Sequence, residues 1–197
     1  MMKIFRKAIL AGICIGIAGF GYLAIGGIFG AIIFAFGLAA VVSYALKLYT
    51  GTAGFIKLPA KTGELLLILA GNLVGCLVVA MLTRVSPMPL QDTAQNILVG
   101  RLSNGWLNCG LLAIGCGFIM TTAVEFARRD NWYPLIFGVP MFIICGFPHS
   151  IADAFYYMSV PLDFIGENIL KIIPLYVSIV VGNFIGCNLY RVIAPQE

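Results

Sequence analysis

Charge is what this sequence has least of. Only 10% of its 197 residues are Asp, Glu, Lys or Arg, and 61% are hydrophobic; an ordinary soluble domain carries about 25% charged residues. Histidine occurs once, at His149. There is no CxxC pair: Cys14, Cys76, Cys109, Cys116, Cys145 and Cys187 are scattered through apolar segments. They read as small buried hydrophobes, and nothing clusters into a metal-ligand set. Basic residues do not gather among exposed aromatics, so a nucleic-acid site is excluded. Sparse charge and long apolar runs also exclude a disordered chain, a coiled coil and almost any soluble enzyme. A transmembrane β-barrel requires short alternating segments instead of unbroken runs. What remains is an all-α membrane protein with several spans.

The apolar runs lie at about 8–25, 27–46, 64–82, 98–124, 132–146 and 169–190. A span takes about 20 apolar residues, so six transmembrane helices fit. A polar loop containing Pro87, Pro89, Gln91, Asp92 and Gln95 is expected between the third and fourth. Two runs are interrupted. The second meets Lys47-Leu48-Tyr49-Thr50-Gly51 and resumes weakly to Ile56. The fifth meets Phe147-Pro148-His149-Ser150 and resumes from Ile151 to Val160. Lysine and arginine bias sets orientation. With six spans, one side holds Lys3, Arg6, Lys7, Lys57, Lys61, Arg128, Arg129 and Arg191 with both termini. The other holds Arg84, Arg101 and Lys171. The expectation is a multi-pass protein of the inner (plasma) membrane with cytoplasmic termini.

A weak repeat runs through the chain. Gly71-Asn72-Leu73-Val74-Gly75-Cys76 matches Gly182-Asn183-Phe184-Ile185-Gly186-Cys187. Each copy lies in the last run of its half. Three spans per half is an odd number, so the halves are inverted relative to each other, and the broken helix is the middle one in both. Paired broken helices point to a transport site near the midplane. The glycine spacing also suits close helix packing. The expected organisation is a single transmembrane domain over 1–197, with repeats at about 1–90 and 91–197.

Ionisable groups at membrane depth are expensive and point to function. Lys47, His149 and Asp153 are the three such groups. The breaks beside them free backbone N–H and C=O groups, which survive at that depth only where protein buries them or water reaches them.

These residues resemble the formate/nitrite transporter family. Leu48-Tyr49-Thr50-Gly51 is similar to that family's Leu-Phe-Thr-Gly loop. The stretch Gly146-Phe147-Pro148-His149-Ser150-Ile151-Ala152-Asp153-Ala154-Phe155 resembles its Gly-Phe-Glu-His-Ser-Val-Ala-Asn-Met-Phe. The two Gly-Asn motifs match its third and sixth helices, and Trp106 to Cys109 is a looser match to its fourth. The resemblance implies an aquaporin-like protomer built from a 3+3 inverted repeat with the second and fifth helices broken. It also implies a homopentamer with one pore per protomer, no cofactor and no enzymatic activity. The solutes would be small monovalent weak-acid anions such as formate, nitrite, hydrosulfide, acetate or lactate. By carry-over, His149 is the central pore histidine and Thr50 the loop hydroxyl that bonds to it or to the solute. Phe34 and Leu38 fall where the family places one constriction, and Phe142 falls at the other. Tyr49 takes the place of the loop phenylalanine, and Asn108 is placed on the pore.

The departures concern charge. Lys47 replaces an acidic residue, Pro148 a glutamate and Asp153 an asparagine. The family's lysine before the fourth helix has no clear counterpart, and Arg101 is poorly spaced from Asn108. Two expectations follow. Lys47 supplies the missing positive potential, and Asp153 pairs with Lys47 across the broken loops, easing desolvation of both. A weak-acid anion would cross the apolar constrictions as the neutral acid or in proton symport through His149, because a bare ion is costly to desolvate; simple anion conduction is the alternative. The competing readings are a neutral-solute channel for water, glycerol, urea or ammonia on the same fold and, ranked lower, a membrane enzyme or assembly subunit.

Overall fold

A computed structural model describes residues 1–55 and 61–193. Lys57, counted above toward orientation, lies outside the described residues. The described chain is helical: α1 (Met2–Ile25), α2 (Gly27–Ser43), α3 (Thr50–Ala53), α4 (Thr62–Thr83), α5 (Leu90–Asn104), α6 (Trp106–Ala127), α7 (Tyr133–Ile144), α8 (Ser150–Ser159) and α9 (Leu162–Ile193). Four of these, α1, α4, α6 and α9, are long and apolar enough to cross a membrane alone. The apolar helices α2 and α7 have only 17 and 12 residues. Each is continued past a break, α2 by α3 and α7 by α8. The inverted 3+3 arrangement with broken second and fifth helices is therefore realised.

The two halves pack alike. In the first, α1 lies along α4 and against α2; in the second, α6 lies along α9 and against α7. The broken segments cross over. The short α3 packs on α6 and α9, and α8 packs on α1 and α4. Each half thus inserts its half-helix into the other, so neither can bury its break alone.

Glycine allows the close approach. A Cβ on Gly12 would run into the backbone of Asn72, and one on Gly117 into that of Asn183. Likewise Gly75 faces the carbonyl of Ile9, and Gly186 that of Ile114. Lipid tails are as apolar as leucine, so membrane helices associate through such packing instead of a hydrophobic force. The outer surface fits that solvent: Phe29, Phe36, Phe137 and Leu170 are all exposed.

Two expected boundaries differ. The stretch expected as a polar loop is helical from Leu90, and the fourth span begins at Trp106 instead of near Leu98. The residues 90–104 form a separate helix. Leu90, Ala94 and Leu98 recur every fourth position and are its buried face. Asp92 in the first turn and Arg101 in the last suit the helix dipole. Gly105, at φ 82°, ends α5 in a conformation that favours glycine. The last helix also starts earlier than expected, at Leu162, and carries Pro174 inside it.

Packing of this kind makes a measurable prediction. Gly186→Ala drives a methyl into the backbone of α6 and should cost about 1–3 kcal/mol. Gly63→Ala, at a position facing open space, should be neutral. Thermal unfolding in detergent checks both; equal midpoints for the two variants would contradict the glycine-mediated contact.

Candidate functional site

Two asparagines hold the breaks. Asn72 Oδ1 accepts from the Tyr49 N–H at 2.8 Å, and its Nδ2 donates to the carbonyls of Ala8 and Lys47, both at 2.8 Å. Asn183 repeats the pattern. Its Oδ1 accepts from the Ser150 N–H at 2.7 Å, and its Nδ2 donates to the carbonyls of Ala113 at 2.8 Å and Pro148 at 3.0 Å. Both side chains are fully buried. The repeated thiols follow suit. Cys76 donates to the carbonyl of Ile151 at 3.4 Å, and Cys187 to that of Thr50 at 3.3 Å. The Gly-Asn motifs thus do more than pack: they satisfy the backbone that the breaks expose.

The chain turns at the end of each first half-helix through a positive φ, 47° at Ala45 and 71° at Gly146. A cation covers each freed carbonyl. Lys7 Nζ donates to Ala45 O at 3.0 Å, and an Arg101 guanidinium nitrogen donates to Gly146 O at 2.5 Å. Positive charge at a helix C-terminus opposes the dipole there.

His149 caps α8. Its Nδ1 accepts from the Ala152 N–H at 3.1 Å, while its own N–H donates to Asp153 Oδ2 at 2.8 Å. This is a reciprocal cap that fixes the ring. With Nδ1 accepting, the neutral imidazole carries its proton on Nε2. Nε2 lies 2.9 Å from Thr50 Oγ1, so it donates to the threonine, whose own hydroxyl hydrogen is left to donate elsewhere. Both residues are buried, with exposures of 1% for His149 and 0% for Thr50. One comes from each broken loop, so the pair exists only because the halves interlock.

An aromatic column stands on the imidazole. Phe142 stacks on His149 at 5.4 Å between centroids and 25° between planes, and Phe34 meets Phe142 edge-on at 6.0 Å. Leu38 is buried one helical turn beyond Phe34. The three apolar residues expected at constrictions are therefore buried; Phe142 lies directly over the histidine, and Phe34 packs against Phe142.

A cavity lies beside each break. One, of about 240 Å³, is lined by Phe142, Ile143, Gly146, Phe147, His149, Ala152, Asp153 and Arg101, with Tyr22 and Tyr156. The other, of about 170 Å³, is lined by Val41, Val42, Ala45, Leu46, Leu48, Gly51 and Lys47, with Val124 and Arg128. The linings correspond under the internal repeat: Val41 with Phe142, Val42 with Ile143, Ala45 with Gly146, Leu46 with Phe147, Leu48 with His149, and Gly51 with Ala152. The two cavities, called mouths below, thus occupy equivalent places in the two halves, and the Thr50–His149 bond joins the two broken loops.

Asp153 does not pair with Lys47, as was expected. Its Oδ1 lies 3.0 Å from Arg101 Nε and also accepts from the Tyr157 hydroxyl at 3.1 Å. The reason is placement: α5 carries Arg101 to the mouth where Asp153 sits, and Lys47 lies at the other mouth. In the sequence Arg101 counts toward the side opposite the termini and is poorly spaced from Asn108; nothing there marks α5 as a separate helix that brings it to Asp153. Asn108 does not reach either mouth. It is exposed, and its amide donates to the Asn104 carbonyl at 3.0 Å. Tyr49 is buried, with its hydroxyl donating to Val180 O at 3.2 Å, and lines neither cavity. Asn72 and Asn183, the residues that hold the loops, were legible as polar side chains in the middle of apolar spans.

An interlocked inverted repeat of this kind, with a broken helix from each half meeting at a buried polar pair, defines a multi-pass membrane transport protein. The sequence matches the formate/nitrite transporter family over residues 1–194, and the chain belongs to that family, one of transporters and not of enzymes. A curated relative, formate-nitrite transporter 3 of Toxoplasma gondii, is 24% identical over 95% of this chain. The chain spans 45% of that relative's length. Among solved structures, a pentameric formate channel with formate bound superposes with a TM-score of 0.80 at 23% identity, covering 96% of this chain and 94% of that one. An ion channel of the same family superposes with a TM-score of 0.76 at 19% identity, covering 96% and 87%. At these identities the superpositions establish the fold.

The asparagine clamps are testable. Asn72→Ala and Asn183→Ala each strand a buried backbone N–H and two carbonyls, at about 1–3 kcal/mol for a group left unsatisfied. Detergent melting curves should show losses of similar size at the two positions. A loss at one and none at the other would contradict their equivalence.

Proposed function

We propose that this protein is a channel for small monovalent weak-acid anions, formate being the representative, that cross together with a proton. The observation that carries this reading is the buried Thr50–His149 bond between two mouths, roofed by Phe34 and Phe142. A bare anion entering that apolar column loses its hydration at a cost far above that of a neutral polar molecule. Low dielectric favours protonation of a carboxylate, so the solute gains its proton before the constriction. The Thr50 hydroxyl, held by His149 Nε2, then replaces a lost water hydrogen bond. Fully protonating the imidazole at Nδ1 would displace the Ala152 N–H that caps α8. Leaving the imidazole neutral keeps that cap and its Nε2–H bond to Thr50, so the free threonine hydroxyl hydrogen is the donor to the solute while the solute carries the proton.

Lys47 belongs to the site in this reading as a charge at one mouth, and Asp153 as the residue that positions His149 and holds Arg101. The single transmembrane unit assembles as a homopentamer with a pore in each protomer; the formate channel on which it superposes is pentameric. It sits in the inner (plasma) membrane with both termini cytoplasmic. The gathering of Lys7, Lys47 and Arg128 at one end supports that orientation.

A neutral-solute channel is the second reading. The Arg101–Asp153 ion pair favours it, because it cancels the positive charge at one mouth.

Proteoliposome flux separates the two. Formate flux should rise as pH falls, since the neutral acid becomes more abundant. His149→Asn keeps an N-cap acceptor and loses the reach to Thr50. A hydrogen bond between neutral groups is worth about 0.5–1.5 kcal/mol, so flux should drop roughly two- to tenfold. Glycerol or urea flux without formate flux would establish the second reading. Light scattering of the detergent-solubilised protein should give five chains per particle; a monomeric mass would refute the assembly.

A further inference from the structure

We propose that Asp153 decides what the His149 mouth accepts: its carboxylate fills the anion site that Arg101 would otherwise offer, so the cavity takes an uncharged hydrogen-bonding solute, the protonated weak acid, in place of an anion. The inference rests on the weak-acid reading and deepens it by naming a residue that sets specificity through its partner.

Two features at this mouth would attract an anion. One is a guanidinium, and the other is the N-terminal end of the ten-residue helix α8. Asp153 uses both. Its Oδ1 lies 3.0 Å from Arg101 Nε, and its Oδ2 accepts the His149 N–H at 2.8 Å in the first turn of α8. Each oxygen thus faces a donor that cannot accept, and the Tyr157 hydroxyl adds a further bond at 3.1 Å. The carboxylate is buried. Tethered to the helix it serves, it outcompetes a free anion by effective concentration. Arg101 and Asp153 are the charged residues of the lining, and their charges cancel.

What is left unbonded suits a neutral acid. Arg101 Nη2 and the hydroxyls of Tyr22 and Tyr156 have no hydrogen-bond partner among the described residues, and all three residues line the cavity. The two tyrosine rings lie 6.0 Å apart. A carboxylic acid has a carbonyl oxygen that accepts and a hydroxyl that donates. The guanidinium serves the first, and a phenol oxygen, which accepts as well as donates, serves the second. Phe142, Ile143 and Phe147 make the rest of the wall apolar. A bare anion would lose its hydration there with no net charge to offset the loss. The volume of about 240 Å³ has room for one small acid.

The test uses the full chain in right-side-out and inside-out vesicles, with nitrate, the anion of a strong acid, as the probe. Nitrate is added at one mouth at a time, and its inhibition of formate flux is read. Asp153→Asn keeps an acceptor for the His149 N–H and uncovers Arg101. The half-inhibitory nitrate concentration at this mouth should then fall about tenfold or more, and at the opposite mouth it should hold. Asp153→Asn/Arg101→Gln removes both charges and should return it to the wild-type value; a folding defect would deepen with the second substitution instead. Arg101→Gln alone leaves no cation there and should keep it at or above the wild-type value. No fall in Asp153→Asn, an equal fall from both sides, or a double variant as sensitive as the single one overturns the proposal. Tyr156→Phe should raise the half-saturating formate concentration from this side roughly two- to tenfold without moving the nitrate value; no rise removes the acid from the cavity and overturns the site. A further measurement needs no transport. Nitrate should raise the detergent melting temperature of Asp153→Asn more than that of the wild type or the double variant, and equal rises in all three overturn the proposal. The expected pattern in a protein that moves urea and not formate would keep the charge filter and remove the weak-acid reading.

Discussion

A backbone that leaves the helix at membrane depth must find new hydrogen-bond partners, and the rest of this structure is arranged around that need. No water in the hydrocarbon layer can serve unpaired N–H and C=O groups. Here a single buried amide side chain does most of the work at each break: Asn72 joins Tyr49, Lys47 and Ala8, while Asn183 joins Ser150, Pro148 and Ala113. An asparagine offers one acceptor and two donor hydrogens, and each of these two uses all three. For the amide to reach a loop on one side and a neighbouring helix on the other, the helices must come close. That is why Gly12 faces Asn72 and Gly117 faces Asn183. The glycines, the asparagines and the breaks are one device, used twice.

Repetition supplies the frame, and the chemistry comes from where repetition fails. Leu48 corresponds to His149, Thr50 to Ile151, Lys47 to Pro148 and Tyr49 to Ser150. A fully symmetric molecule would place either two histidine–threonine pairs or none at its centre. This one keeps a single histidine from one half and a single hydroxyl from the other, each opposite an aliphatic partner position. The centre therefore contains one donor–acceptor pair in an otherwise apolar environment. Such a pair is affordable in desolvation because both groups are neutral and bonded to each other.

Much of this could be read from the sequence, for identifiable reasons. Low charge and six apolar runs fix the class, since the bilayer leaves few alternatives. The Gly-Asn repeat reports the inverted halves because the same local problem recurs in both. His149 and Thr50 stand out as polar residues beside breaks. Where the reading went astray, it did so over distances that a linear pattern does not encode. Residues 90–97 are polar enough to pass for a loop, 98–104 run on into the fourth apolar stretch, and the buried stripe of Leu90, Ala94 and Leu98 is thin. With that helix missed, Arg101 could not be placed at the His149 mouth, and Asp153 was assigned the wrong cation. Asn108 was placed by motif alone, and its true neighbours are Asn104 and the exterior.

The distribution of charge follows from the cost of burying it. At the centre the chain offers only neutral donors and acceptors. One step out, a buried carboxylate appears, and it is bonded to a guanidinium, a tyrosine hydroxyl and a backbone N–H at once. Removing an ion from water costs several kcal/mol unless partners restore its interactions, and Asp153 has as many partners as its geometry admits. At the rim, where water reaches, Lys47 and Arg128 stand without acids. Charge is thus without a carboxylate partner in one cavity lining, paired in the other, and absent from the Thr50–His149 pair that joins the two broken loops.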